Sequence, residues 1–461
     1  MFRKKILSVL ILFVASLSAV ADAPRYIFYF IGDGMGIGAV TLAQLYSRTV
    51  LGREGVLNMM TMPVASMATT HSASSPVTDS AAAGTALATG NKTINGMLGV
   101  TPDSAAVISI AKILHDNGYG VGLVTTVAPD DATPGAFYAH QPHRSMFYEI
   151  GKDAAMSGYE FIAGANLRGT KDKDGNPNDL LAVFEENKVS VVRGTDALKE
   201  AKYDRVLLLN TDSLLKNDVG YAIDSVTGVL TLPAMTEACI QHLQKQTPDR
   251  FFMMVEGGSI DHAAHPNDAA TVAIETIAFD TTLALALDFY REHPEETLII
   301  VTADHETGGL CLANRKLHYD VKPGYLKYQN ISKERFIDLV ESMMHSRMVY
   351  EWSDLKSLIQ DRVGLYGPIP VDEAGDKAIR EAFDNMISLR SGDPEKLHWA
   401  VYGFAGKVFE EVSWQSGIGW TTGDHSGAMV PVYAIGVGAD RFAGAQDNTD
   451  IPKKILEIAG Y

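Results

Sequence analysis

The sequence predicts an α/β fold: a doubly wound, mostly parallel central sheet with helices on both faces and one helical insertion. Three observations predict it. Short apolar runs recur along the chain, as strands buried on both faces require. Helical patterns lie between the runs, and strands alternating with helices build a parallel sheet. Several runs stop at glycine, aspartate, glutamate or histidine, and ligands of such sheets gather beyond the carboxyl ends of the strands.

Residues 26–31 form the first run and lead into Gly32-Asp33-Gly34-Met35-Gly36. Residues 121–126 lead to Asp130, Asp131 and Thr133, and residues 251–255 stop at Glu256-Gly257-Gly258. Residues 298–302 reach Asp304-His305-Glu306, while 206–209 and 432–435 are further strand candidates. Asp33, Asp131, Glu256 and Asp304 are therefore expected on one rim. Unshielded carboxylates so close together repel and resist ionisation, so the arrangement makes sense around divalent cations. Any one of these acids would serve equally well as a helix cap or turn residue. A capping role, however, predicts no histidines beside them.

Histidines stand there. Asp261 and His265 are four residues apart, one helical turn, and can share a metal. Pro266 keeps that turn short. His305 adjoins Asp304, and His425 lies in Gly423-Asp424-His425-Ser426-Gly427. Imidazole with carboxylate suits zinc; a hydroxyl with carboxylates and water suits magnesium.

Ser80 is the candidate nucleophile. It opens Ser80-Ala81-Ala82-Ala83, a strong helix former, where free N–H groups and the helix dipole favour an anion. Thr78 or Asp79 would cap that helix, with Ser80 a bystander in the plainer reading. Competing motifs fit less well. Gly34-Met35-Gly36-Ile37-Gly38-Ala39 meets a loose dinucleotide fingerprint, but Asp33 would face the pyrophosphate. Gly90-Asn91-Lys92-Thr93 is no phosphate loop, because Asn91 separates glycine from lysine. Asp172-Lys173-Asp174-Gly175-Asn176 lacks the glutamate of a calcium loop, since Val183 stands there, and reads as an exposed turn.

Composition narrows the function. The chain has 461 residues, 46% hydrophobic and 21% charged, with formal net charge −17. That suits a large soluble core and argues against nucleic acid as a structural partner. Arg3, Lys4 and Lys5 precede an apolar run, and Ala19-Val20-Ala21 has the small-x-small form of a cleavage site. Residues 1–21 are therefore expected to be a signal peptide, giving an exported, periplasmic or secreted protein without a stable membrane span. Cys239 and Cys311 permit one disulfide, but an unpaired state fits their wide separation equally well.

Taken in order, the motifs resemble those of the alkaline phosphatase family. They are Gly32-Asp33-Gly34-Met35-Gly36, Val77-Thr78-Asp79-Ser80-Ala81, Asp131-Ala132-Thr133-Pro134, Glu256-Gly257-Gly258-Ser259-Ile260-Asp261-His262, Thr302-Ala303-Asp304-His305-Glu306-Thr307-Gly308-Gly309 and His425-Ser426-Gly427. The resemblance implies hydrolysis of phosphate monoesters through a phosphoserine on Ser80, with two Zn2+ and one Mg2+. It implies that Asp261, His265 and His425 hold one zinc and that Asp33, Asp304 and His305 hold the other. Asp33, Asp131, Thr133 and Glu256 would hold magnesium, with Ser80 also facing a metal. Arg144 matches the family's phosphate-gripping arginine. His262 stands where members carry lysine, histidine or tryptophan, which implies either a water-mediated contact with phosphate or an altered magnesium site, with consequences for pH optimum and metal preference.

The rest of the mature chain, 22–461, reads as one such domain interrupted at about 312–420. Within that stretch Ile379, Ala382, Phe383, Met386 and Ile387 follow helical spacing, with Gly392 as a stop. Phe336, Ile337, Val340 and Met344 mark another helix. This insertion would cap the site, form a homodimer contact or simply elaborate the surface. The rival functions are a phosphodiesterase of the same superfamily and a catalytically silent phosphate- or metal-binding protein.

Overall fold

The computed structural model describes residues 23–211 and 218–461. The expected signal peptide lies outside them. Eight strands form in chain order: β1 (Tyr26–Gly32), β2 (Val64–Thr69), β3 (Gly120–Thr125), β4 (Phe161–Gly164), β5 (Val189–Arg193), β6 (Arg205–Leu209), β7 (Phe251–Glu256) and β8 (Thr297–Ala303). Two more, Val430–Gly436 and Gln446–Asp447, complete a ten-stranded sheet. From one edge the order is Gln446–Asp447, β2, Val430–Gly436, β8, β1, β7, β3, β4, β6, β5. Only Val430–Gly436 runs against its neighbours. The doubly wound, mostly parallel fold expected from the sequence is what the chain adopts.

Every residue of β1, β3, β7 and β8 is buried, as helices on both faces demand. Phe28 and Phe251, on paired strands, meet Phe289 of the Ala269–Glu292 helix in edge-to-face contacts. That helix is long and apolar enough to cross a membrane, yet most of it is packed inside the molecule. It lies against the Ile37–Thr49 helix on one side of the sheet.

Register decides where the chemistry sits. Gly32 pairs with Ala303, and Ile31 pairs with both Thr302 and Glu256. Thr125 in turn pairs with Glu256. The chain therefore leaves β1, β8, β7 and β3 at one level, and Asp33, Asp304 and Glu256 emerge side by side.

Between β8 and Val430–Gly436 lie four long helices, Lys333–His345, Trp352–Val363, Glu373–Leu389 and Pro394–Ser416. Ile379, Phe383 and Met386 are buried on one, and Phe336, Ile337, Val340 and Met344 on another, as their spacing predicts. Cys311 pairs with Gly419 and Leu312 with Ile418, so the segment leaves and re-enters the main body at one point. Cys239 and Cys311 are both free, the first buried and the second exposed. Cys239 packs where a side chain on Gly122 of β3 would collide with its sulfur.

Candidate active site

Ser80 is the first residue of a ten-residue helix, Ser80–Thr89, capped by Asp79, whose carboxylate accepts from the Ala82 N–H at 3.0 Å. Capping and candidate nucleophile are thus separate jobs on adjacent residues. The buried Ser80 Oγ lies 3.2 Å from His305 Nε2. The same nitrogen is 3.3 Å from Asp33 Oδ1 and 3.2 Å from Asp304 Oδ2. Asp304 Oδ1 accepts from the N–H groups of Gly34 (3.1 Å) and His305 (2.8 Å) at the strand end.

The imidazoles form a row. His305 stacks on His425 with ring centres 3.5 Å apart, and His425 Nε2 lies 3.2 Å from His265 Nε2. Side-chain exposure rises along it, from 0% at His305 through 13% at His425 to 39% at His265. His265 Nδ1 donates to the Gly423 carbonyl at 2.7 Å, and His425 Nδ1 to the Thr78 carbonyl at 2.8 Å. Each bond fixes a tautomer whose Nε2 lone pair points into the cluster, the second contact metal-binding histidines usually have. Asp261 reaches His265 Nε2 at 3.2 Å and also accepts from Thr307.

Two groups of ligand atoms lie close enough for a metal: Asp261, His265 and His425, and Asp33, Asp261 and His305. Asp261 therefore stands between the two, with Asp304 adjoining the second. The donor set fits cations on a further observation. Asp33 Oδ1, Asp304 Oδ2 and Glu256 Oε1 are buried and receive no hydrogen bond. Folded proteins rarely leave such atoms without a partner.

Electrostatics agrees. Burial, together with Asp304, Asp261 and Glu256, pushes the Asp33 carboxyl well above its usual range. Burial and Asp261 raise Asp304 to about 7, and burial raises Glu256 to about 8 although Thr125 donates to it. Burial and the neighbouring His425 hold His305 well below its usual value, which favours the neutral imidazole. Burial opposes ionisation of Asp261 too, but its contact with His265 and the surrounding imidazoles outweigh it.

The other end of the site is already balanced. Arg144 reaches Asp131 at 3.2 Å and Asp79 at 3.4 Å. Burial works against the Asp131 charge, but Arg144, Arg168 and His262 hold its pKa below the usual value. Thr133 is buried in the short helix that Asp131 caps. His262 donates to Asp218 at 2.9 Å, and this contact overcomes burial to push the imidazole up to about 10. Asp218 also accepts from Ser259 at 2.6 Å. All twelve residues singled out in the sequence thus lie in one region.

Two residues there went unread. Arg168 bonds Asp131 at 2.9 Å, and Asp218 anchors His262. Arg168 follows β4, a fifth strand ending on the same rim, and that run of four buried residues was its signal. Asp218 carries no comparable sequence cue.

Comparisons with known proteins agree with this geometry. A family model described as Alkaline phosphatase matches residues 25–171 and 152–461. Alkaline phosphatase 4 of Bacillus subtilis (strain 168) is 31% identical over 83% of this chain and 76% of its own. The cold-active alkaline phosphatase of a psychrophilic Shewanella superposes with TM-score 0.77 at 27% identity, covering 94% of this chain and all of that one. A variant of the alkaline phosphatase of the Antarctic bacterium TAB5, described with Mg bound in its M3 site, matches with TM-score 0.65 at 27% identity, covering 96% and 99%. The strand-end acids, the imidazole row and the matched length agree: the chain belongs to the alkaline phosphatase family, enzymes that hydrolyse phosphate monoesters.

Proposed function

We propose that this chain hydrolyses phosphate monoesters in two displacements, with a phosphoserine on Ser80 between them. The observation that carries the reading is Ser80 Oγ, 3.2 Å from His305 Nε2, beside buried carboxylate oxygens that no donor reaches. Asp261, His265 and His425 would hold one zinc, and Asp33, Asp304 and His305 the second. Asp33, Asp131, Thr133 and Glu256 would hold magnesium, as the magnesium recorded for the TAB5 variant supports. When bound, such cations neutralise anionic oxygens and lower the pKa of hydroxyl groups.

The protein's own groups do the rest. Ser80 attacks phosphorus, the bond to the leaving-group oxygen breaks, and the serine proton passes to solvent. Water then attacks the phosphoserine and releases inorganic phosphate, restoring the hydroxyl. The start of the Ser80–Thr89 helix favours the negative charge in both steps. Arg144 can present two N–H groups to two phosphoryl oxygens, which favours monoesters with their three free oxygens. Export of the mature chain and an accessory role for the 312–420 segment belong to the same proposal.

The test is turnover of a simple phosphate monoester by the mature protein, before and after chelation, then with zinc and magnesium restored. A diester run in parallel separates the phosphodiesterase reading. The expected result is monoester turnover that chelation abolishes and the two metals restore. Activity that survives thorough metal removal would overturn the mechanism.

A further inference from the structure

Asp131 touches two arginines, and they are not equivalent. Arg168 Nη1 lies 2.9 Å from Asp131 Oδ2, the length of a strong charge-assisted bond. Arg144 meets Asp131 Oδ1 at 3.2 Å and Asp79 at 3.4 Å, both longer than such bonds usually are. The looser partner is the one read above as the phosphate grip. It keeps donors available because its anionic neighbours are satisfied elsewhere. Asp131 has Arg168, and Asp79 accepts from the Ala82 and Gly96 N–H groups.

Arg168 is held in place independently. Its guanidinium lies over the Phe147 ring, 4.2 Å from the centroid. Its N–H and that of Gly169 donate to the buried Asp130 at 2.9 and 2.7 Å. A side chain at Gly169 would sit 2.5 Å from the Phe147 carbonyl, so only glycine lets the backbone come this close to Phe147. Consecutive aspartates thus fix both ends of one residue: Asp130 its backbone, Asp131 its side chain.

We propose that Arg168 is a positioning residue that holds Asp131 off Arg144 and neutralises it, keeping Arg144 free for the phosphoryl group. Without Arg168, Asp131 would either close on Arg144 or stand as an unbalanced anion beside the substrate. Both outcomes weaken phosphate binding. The inference rests on the proposed role of Arg144.

The test is the affinity of the metal-loaded protein for inorganic phosphate, measured by calorimetry, together with KM and kcat for a small monoester. Arg168→Ala is expected to weaken phosphate binding about tenfold and to raise KM more than it lowers kcat, the scale of coupling between residues in contact. Arg168→Lys, which keeps the charge, should recover most of the loss. In an Asp131→Asn background the same Arg168→Ala change should cost less than about twofold, since its target carboxylate is gone. Arg168→Met, which keeps apolar packing on Phe147, serves if the alanine variant does not fold. Native-like phosphate affinity in the Arg168 variants, or an equal loss in both backgrounds, would overturn the inference. A native chain that neither binds phosphate nor turns over the monoester would instead overturn the function proposed above.

Discussion

The two ends of the site are built on opposite electrostatic plans. At the Asp33, Asp304 and Glu256 end, carboxylates are buried beside one another and their charge is opposed by burial and mutual repulsion. At the Asp131 end two anions meet cations from the chain: Arg144 and Arg168 for Asp131, His262 for Asp218. The first end needs charge brought from outside, whereas the second is balanced when the chain folds. The difference fits the tasks proposed above: cations at the first end, and at the second a substrate anion that borrows an arginine already in place.

The largest effect should come where the two ends meet. Ser80→Ala is expected to lower turnover at least ~10⁴-fold, as loss of a nucleophile does elsewhere. Metal content, measured by elemental analysis, should barely change. A variant that keeps turnover would remove Ser80 from its role.

Breaking the balanced end costs less. Arg144→Ala should reduce kcat/KM by about 10²-fold, comparable to losing one donor to a transition-state oxyanion. Steady-state kinetics on a small monoester reads this directly. An unchanged kcat/KM would mean that phosphate is gripped elsewhere.

The unbalanced end can be tested without turnover. Asp304 near 7 and Glu256 near 8 lie above their unfolded values, so the folded chain holds extra protons between those limits. His262, near 10, acts in the same direction above its ordinary value. Holding more protons folded than unfolded makes stability fall as pH rises. Below about 6.5 the depressed His305 opposes this trend, and above that it no longer does. The chelated protein should therefore lose melting temperature between about pH 6.5 and 8, and zinc with magnesium should flatten the slope. A flat profile after chelation would show that these acids feel no strain.

The smallest change is expected at the edge of the balanced end. Asp218→Asn removes the charge that keeps His262 protonated. The alkaline limb of the kcat/KM profile should move to lower pH, with only about a threefold change at its maximum. An unmoved limb would confine His262 to a packing role.

How much of this was legible follows the same division. Asp33, Asp304 and Glu256 could be placed because each ends an apolar run, and parallel strands bring their carboxyl ends together. The helices carrying Ile379 and Phe336 were legible through periodicity. Arg144 needed the family motif, since nothing in its own surroundings marks it. Asp218 was illegible because it acts through a partner 44 residues away, whereas Arg168, 37 residues from Asp131, could have been sought only at the end of β4. The cysteines were ambiguous for the same reason: spacing does not state distance, and folding leaves one buried and one exposed.

The sequence by itself determined the fold class and the kind of chemistry, because side-chain period and strand-end residue type are local properties. Which acids lie together, which anion is already paired and which arginine is the more loosely held were decided only by tertiary structure. Those choices depend on strand order and register, which place Gly32 against Ala303 and Ile31 against Glu256. Electrostatic energies change steeply over one or two ångströms, and sequence spacing does not specify separations that small.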